Sequence, residues 1–244
     1  MVHRGAGSLA LIVIGFCLAA GEGSRLAPLT DRTAKPLLEV AGRPLIDLAL
    51  AALVAAGAER VVVNAHHHAD QLVAHLAGQP GVEVVVEPEL LGNAGGPANA
   101  RRLGLLGAPG APGETVLLTC ADVLVDPADL RALASALERH GEAAVTVGLV
   151  AGNARDPLRF RVEGEPGRAA GRAVPDPAGR WSSAGCYALR AELLDAVPPG
   201  PAEFVAALLE PAWRRGALLG VPLKGTWLNV NTPDDLRAAA ALIR

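Results

Sequence analysis

Leu11-Ile-Val-Ile-Gly-Phe-Cys-Leu-Ala-Ala-Gly-Glu-Gly-Ser-Arg25 is an apolar, β-branched run that passes straight into a glycine turn. Two readings compete for it. Early basic residues (His3, Arg4), an apolar stretch from Leu9 to Ala20 and Cys17-Leu-Ala-Ala-Gly21 imitate a leader peptide with a processing site. The alternative is a buried first β-strand over about 9–18, bounded by the glycines that follow. Cleavage near Ala20 would discard the element that presents Gly21-Glu-Gly-Ser-Arg25, so the strand reading is adopted.

Outward from this strand the pattern alternates. A glycine- and proline-rich loop over 20–44 precedes a helix at about 45–57, whose apolar face carries Leu45, Ile46, Leu53 and Val54 and which stops at Gly57. A strand at 60–64, a helix at 68–77 and a strand at 82–86 follow, then a loop from Glu87 to Gly96 and a helix from about Pro97 to Leu105. A strand at 115–119 ends at Cys120-Ala-Asp122, before a helix at 127–140 and a strand at 143–149. Residues 150–181 read as β-hairpins or a cover over a site. A strand at 185–189, a helix near 201–215 and a last helix from Pro233 to Ile243 complete the chain. Strands separated by helices imply right-handed βαβ units, hence an α/β fold with a mainly parallel sheet and helices on both faces. Ligands of such sheets bind beyond the carboxyl ends of the strands. The loops at 19–35 and 120–122 leave strands at that end.

The first loop carries the chemistry. Gly21 and Gly23 let backbone amides approach phosphate oxygens. Arg25 offers a guanidinium fork, and Lys35, in Ala34-Lys-Pro-Leu37, adds a compact second positive charge. Two cations and a glycine turn suit a triphosphate whose leaving group is pyrophosphate. The string is not a P-loop, which needs G-x-x-x-x-G-K-[ST]. It is not a dinucleotide fingerprint either, since position 26 is Leu. Gly-x-Gly alone is compatible with an ordinary turn.

The longer pattern, Leu18 to Thr30 with Lys35-Pro36 and Glu39-Val-Ala-Gly-Arg-Pro-Leu-Ile46, resembles the signature of the sugar-1-phosphate nucleotidyltransferases, or NDP-sugar pyrophosphorylases. Val61 to Leu76, with the compact length, is similar to the N-acetylmuramate-1-phosphate uridylyltransferase and mannose-1-phosphate guanylyltransferase branch of that family. The resemblance implies a Rossmann-like, GT-A-like nucleotidyltransferase fold in one domain. Residues 9–149 would form the nucleotide-binding half, 150–232 the acceptor-binding half and 233–244 a C-terminal helix. It implies that Leu18, Ala19, Ala20, Gly21, Glu22, Gly23 and Ser24 bind the nucleotide, and that Arg25 and Lys35 are catalytic, offsetting charge that develops on the phosphates. Glu87-Pro-Glu-Leu-Leu-Gly-Asn-Ala-Gly-Gly96 resembles the second nucleotide loop, which would set Gly92, Asn93 and, more weakly, Glu87 against the base. The alternative for this stretch is a plain glycine turn into a helix.

Asp122 follows the buried strand Val116-Leu-Leu-Thr119, where a carboxylate suits Mg²⁺, an ion that takes one or two protein oxygens plus phosphate oxygens. A helix N-cap is the alternative role, although Asp126 or Asp129 serves that equally well. Trp227-Leu-Asn-Val-Asn-Thr-Pro-Asp-Asp-Leu236 resembles the late W-x-D-V-x-T-P-x-x-L motif and implies Asn229 as second metal ligand, an amide where the family usually has Asp. Asp234 and Asp235 read as first-turn helix residues. Ser183 and Gly185 are implied sugar contacts. Leu158, where relatives often have glycine, departs from the acceptor-side pattern. His66-His-His68 invites a metal reading, but three adjacent histidines cannot all face one ion, and a structural role is expected.

Composition bounds the rest. Of 244 residues, 51% are hydrophobic, enough for a sizeable core, and 19% charged. A formal net charge of −3 and 3% aromatics argue against nucleic acid as partner. No stretch other than the first strand invites a membrane reading. Cys17, Cys120 and Cys186 are too sparse for a disulfide framework and fit a reducing, cytoplasmic compartment. The expected partners are a nucleoside triphosphate and a phosphorylated small molecule, with Mg²⁺ as cofactor. Two other functions stay open: a cytidylyltransferase acting on a non-sugar phosphate or phosphonate, and a non-catalytic nucleotide-binding regulator. Base, sugar and oligomeric state are open as well.

Overall fold

The computed structural model describes residues 12–152, 156–164 and 169–243. The expected strand residues 9–11, parts of the 150–181 cover and Arg244 lie outside them. Strand β1 (Ile12–Leu18) is followed by three short 3-10 turns, Ser24–Leu26, Leu29–Asp31 and Lys35–Leu37, and by a small hairpin of β2 (Glu39–Val40) and β3 (Arg43–Pro44). Then come α1 (Leu45–Ala56), β4 (Arg60–Ala65), α2 (Ala69–Leu76), β5 (Val82–Val86), α3 (Gly92–Arg102), β6 (Glu114–Cys120), β7 (Val123–Val125), α4 (Pro127–Arg139) and β8 (Val145–Ala151). The later chain forms β9 (Arg159–Glu163), β10 (Gly171–Pro175) and β11 (Trp181–Arg190). A π-helical turn, Val205–Leu209, runs into α5 (Glu210–Arg214), and β12 (Leu218–Pro222), β13 (Trp227–Asn229) and α6 (Pro233–Leu242) follow.

Among the described residues nine strands form one sheet, in the order β5-β4-β1-β6-β11-β8-β12-β10-β9. Strands β5, β4, β1 and β6 are mutually parallel, β11 is antiparallel to both β6 and β8, and β12 is again parallel to β8. The expected mixed, mainly parallel sheet with helices on both faces is present. Both faces of β1 are buried: Val13 and Cys17 pack in the cluster with α1, α2 and α4, while Ile14 and Phe16 pack in the cluster with α3 and α5. A strand covered on both sides reads as a continuous apolar run, which is why this stretch mimics a leader peptide. A third, smaller cluster holds α6 against Val40, Leu45 and Leu124. No helix among the described residues is long and apolar enough to cross a membrane.

Several boundaries differ from expectation. The helix expected from Pro97 begins at Gly92, with Pro97 inside it. The glycines that resembled a loop let α3 pack closely. A Cβ on Gly95 would lie 2.6 Å from the carbonyl oxygen of Gly200, and one on Gly96 2.6 Å from Glu87 Oε1. Tertiary contact therefore overrides a poor helical propensity. The strand expected at 185–189 spans Trp181–Arg190 and is interrupted by a bulge between Ser183 and Tyr187, where Gly185 has φ +73°. The helix near 201–215 is shorter and partly π. The hairpin expected within 150–181 exists as β9 and β10, and it extends the main sheet.

Candidate active site

Three strand ends build the floor of a cavity of about 340 Å³. In the parallel register Leu18 of β1 lies beside Asn64 of β4 and Cys120 of β6, and all three residues line it. This is where strand order reverses, since β1 leads to β4 on one side and has β6 on the other; ligands of open α/β sheets bind at such points. The loops are tied together at the same level. Ala121 N–H donates to the Leu18 carbonyl at 2.9 Å, and Ala19 N–H to Asn64 Oδ1 at 2.8 Å.

The first loop covers one wall. Ala19, Ala20, Gly21, Gly23, Ser24, Arg25 and Lys35 face the cavity, while Glu22 is exposed outside its wall. Gly23 is required twice over. Its φ is +67°, and a Cβ there would sit 2.8 Å from Lys35 Cβ. Gly21 has open space where a Cβ would be, so a ligand meets bare backbone.

Asp122 lies in the tight turn between β6 and β7, where its carboxylate pairs with Lys35 Nζ. The helix cap belongs to Asp126, whose side chain accepts Ala128 N–H at 2.8 Å, so Asp122 is left to the cavity. Lys35 Nζ also donates to Asn231 Oδ1 at 3.1 Å, and Arg25 Nη2 donates to the same oxygen at 2.7 Å. The Cys120 thiol is pushed up to about 12, chiefly by burial and then by the Asp122 charge, with Lys35 opposing. At neutral pH it is a protonated wall residue and not a nucleophile.

The second loop forms the opposite wall with Leu90, Gly92 and Asn93. Asn93 Oδ1 accepts the Phe204 N–H at 2.5 Å, fixing this loop to the start of the π-helical turn. Glu87 is only 2% exposed and stands behind the wall. Its Oε1 accepts from Asn64 Nδ2 at 2.8 Å and its Oε2 from Leu91 N–H at 3.1 Å. Burial of this carboxylate is thus compensated by hydrogen bonds at both oxygens.

Asn229 stands on β13 opposite Val123, outside the cavity wall. Its Oδ1 is buried without a hydrogen-bond partner, and Val230 N–H donates to the Asp122 carbonyl at 2.8 Å, which keeps the two segments together. An orphaned amide oxygen and a carboxylate are hard oxygen donors of the kind Mg²⁺ accepts alongside phosphates and water. Ser183 and Gly185 flank the cavity without lining it. Ser183 Oγ and Tyr187 OH are 2.7 Å apart, and a Cβ on Gly185 would be 3.9 Å from Cys120 Sγ. Two of the three histidines pair with backbone carbonyls, His66 Nδ1 with that of Glu87 and His68 Nε2 with that of Thr30, and the His67 ring packs against the His68 ring at 4.1 Å between centroids. Sequence reasoning missed Asn64 and Asn231, both inside quoted motifs but without a local signal of their use.

The chain resembles known proteins over nearly its whole length. The chain is 34% identical to an N-acetylmuramate alpha-1-phosphate uridylyltransferase of Neisseria meningitidis, over 92% of this chain and 96% of the relative. It is 31% identical to the protein of the same name from Caulobacter vibrioides, over 93% and 96%. A mannose-1-phosphate guanylyltransferase of Mycobacterium tuberculosis is 30% identical over 93% of this chain and 64% of its own. A solved UDP-glucose pyrophosphorylase, complexed with UDP-glucose, superposes with a TM-score of 0.77 at 17% identity, over 96% of this chain and 98% of that one. The model of the family described as nucleotidyl transferase matches residues 14–244, and the chain belongs to that family.

Proposed function

We propose that the protein transfers a nucleoside monophosphate from a nucleoside triphosphate to a sugar 1-phosphate, releasing pyrophosphate. The observation that carries this reading is the meeting of Arg25, Lys35 and Asp122 at one cavity over the carboxyl ends of β1 and β6. The names of the uridylyltransferase and guanylyltransferase relatives support it. A cytoplasmic location fits the three free thiols.

The reaction is a single in-line displacement. An oxygen of the acceptor phosphate forms a bond to the α-phosphorus, and the bond from that phosphorus to the β-bridging oxygen breaks, its electron pair leaving with pyrophosphate. The attacking oxygen is already ionised near neutral pH, so no general base is needed and catalysis is positioning and electrostatics. Arg25, Lys35 and the amides around Gly21 and Gly23 offset the charge that grows on the leaving group. Asp122 and Asn229 would hold Mg²⁺, which supplies charge neutralisation at the phosphates. Asn64 and Glu87 keep the two loops at a fixed separation, within which the base binds.

Pyrophosphate release is the test, with UTP, GTP, CTP, ATP and dTTP each set against N-acetylmuramate, mannose and glucose 1-phosphates. Release that requires one triphosphate and one sugar phosphate together is the expected result. Silence across the panel would reject the proposal.

A further inference from the structure

Asn231 lies two residues beyond Asn229, on the connection between β13 and α6. One oxygen atom, its Oδ1, accepts from both cations of the first loop: Arg25 Nη2 at 2.7 Å and Lys35 Nζ at 3.1 Å. Among the described residues, Arg25 makes no ion pair and has no other side-chain hydrogen bond, and it sits on an exposed 3-10 turn. Without Asn231 an exposed arginine there would sample many rotamers, and ordering it would fall to the substrate.

Asn231 is itself held from both sides. The preceding N–H, that of Val230, donates to the Asp122 carbonyl at 2.8 Å. Its own N–H donates to Asp235 Oδ2 at 2.9 Å, and the same carboxylate oxygen accepts Thr232 N–H at 2.8 Å. Thr232 and Asp235 form a reciprocal capping box at the start of α6. The helix terminus thus fixes the loop, and the loop fixes the oxygen.

The residue type matters as much as the place. An amide oxygen orients two cations without neutralising them, whereas a carboxylate there would compete with incoming phosphates for the same charges. We infer that Asn231 is a positioning residue that pre-sets Arg25 and Lys35 for the triphosphate while leaving their positive charge available. The inference rests on the function proposed above.

The test uses the full chain with Asn231→Leu and Asn231→Asp, alone and combined with Arg25→Ala. Turnover is read as pyrophosphate release, and affinity by calorimetry with inorganic pyrophosphate, a probe independent of the base. Asn231→Leu should lower turnover about tenfold, within the range that misplaced groups cost. Its effect should shrink clearly in the Arg25→Ala background, because the orienting oxygen then has one cation fewer to hold. Asn231→Asp should keep the melting temperature and weaken pyrophosphate binding, about tenfold for a charge at that distance. Wild-type turnover and affinity in both single variants would overturn the inference. So would equal effects of Asn231→Leu with and without Arg25, which would mark a purely structural role. Wild-type protein that neither binds pyrophosphate nor releases it would instead reject the proposed function, and this inference with it.

Discussion

Asn64 and Glu87 form a buried amide–carboxylate pair, Nδ2 donating to Oε1 at 2.8 Å, in which each partner also holds one of the two loops around the cavity. Asn64 Oδ1 takes the N–H of Ala19 and Glu87 Oε2 takes that of Leu91. Asn64→Leu should therefore leave a buried carboxylate and a backbone N–H short of partners. The expected loss is about 3 kcal/mol of stability, read from urea unfolding. The Michaelis constant for the triphosphate should rise as the loops separate. A variant as stable as wild type would show that the pair contributes nothing net.

Arg25 is exposed, so Arg25→Ala should leave the fold intact while lowering turnover by about 10²–10³-fold, the range for removing one preorganised charge-stabilising donor. Steady-state rates equal to those of the parent would remove Arg25 from the mechanism.

Gly23→Ala forces a side chain into the left-handed region at φ +67° and within 2.8 Å of Lys35 Cβ. The backbone cost alone is about 1–2 kcal/mol. Because the nearest atoms belong to Lys35, activity should fall further than thermal stability. Parallel losses of the two would mean that the displaced lysine is immaterial.

How much of this was legible beforehand follows from how local each signal is. The first strand and its glycine turn, α1 with its stop at Gly57, and the capped α4 all rest on neighbours in sequence, and the structure has them where the pattern puts them. The start of α3 was hidden because Gly92, Gly95 and Gly96 are poor helix formers locally and are needed only for close packing against residues 200–202 and Glu87. Strands β7 and β13 are three residues each and exist because they pair with one another. Asn231 meets Arg25 across 206 residues of chain, and nothing around an asparagine in sequence records such a contact.

Asp235 gives a pH signature. Burial pushes its carboxyl up, but the N–H groups of Asn231 and Thr232 and the Thr232 hydroxyl outweigh this, and the net shift is downward. A carboxyl lowered in the folded state stabilises above its unfolded value, near 4, and that contribution disappears as pH falls through the folded value below it. Asp235→Asn should thus melt earlier than wild type at pH 7, with the gap closing below about pH 4. A gap that persists unchanged into acid would exclude the carboxylate as its source.

Asn229→Asp adds a carboxylate to the proposed Mg²⁺ site. A site with one more carboxylate binds a divalent cation more tightly. The Mg²⁺ concentration for half-maximal pyrophosphate release should fall several-fold, and Mn²⁺ affinity measured by paramagnetic resonance should rise in step. No change in either would place the ion away from residue 229.

The connection that carries Asn231 lies outside the main sheet, and this has a consequence for the site. The last strand of the nine-stranded sheet in chain order, β12, ends at Pro222, while β13 and α6 form no part of it and pack on β7 and the hairpin side. Residues 227–243 are therefore added to a sheet whose nine strands are complete without them. The nine strands alone thus present Arg25 and Lys35 without the oxygen to which both donate, which arrives only with the segment that docks on β7.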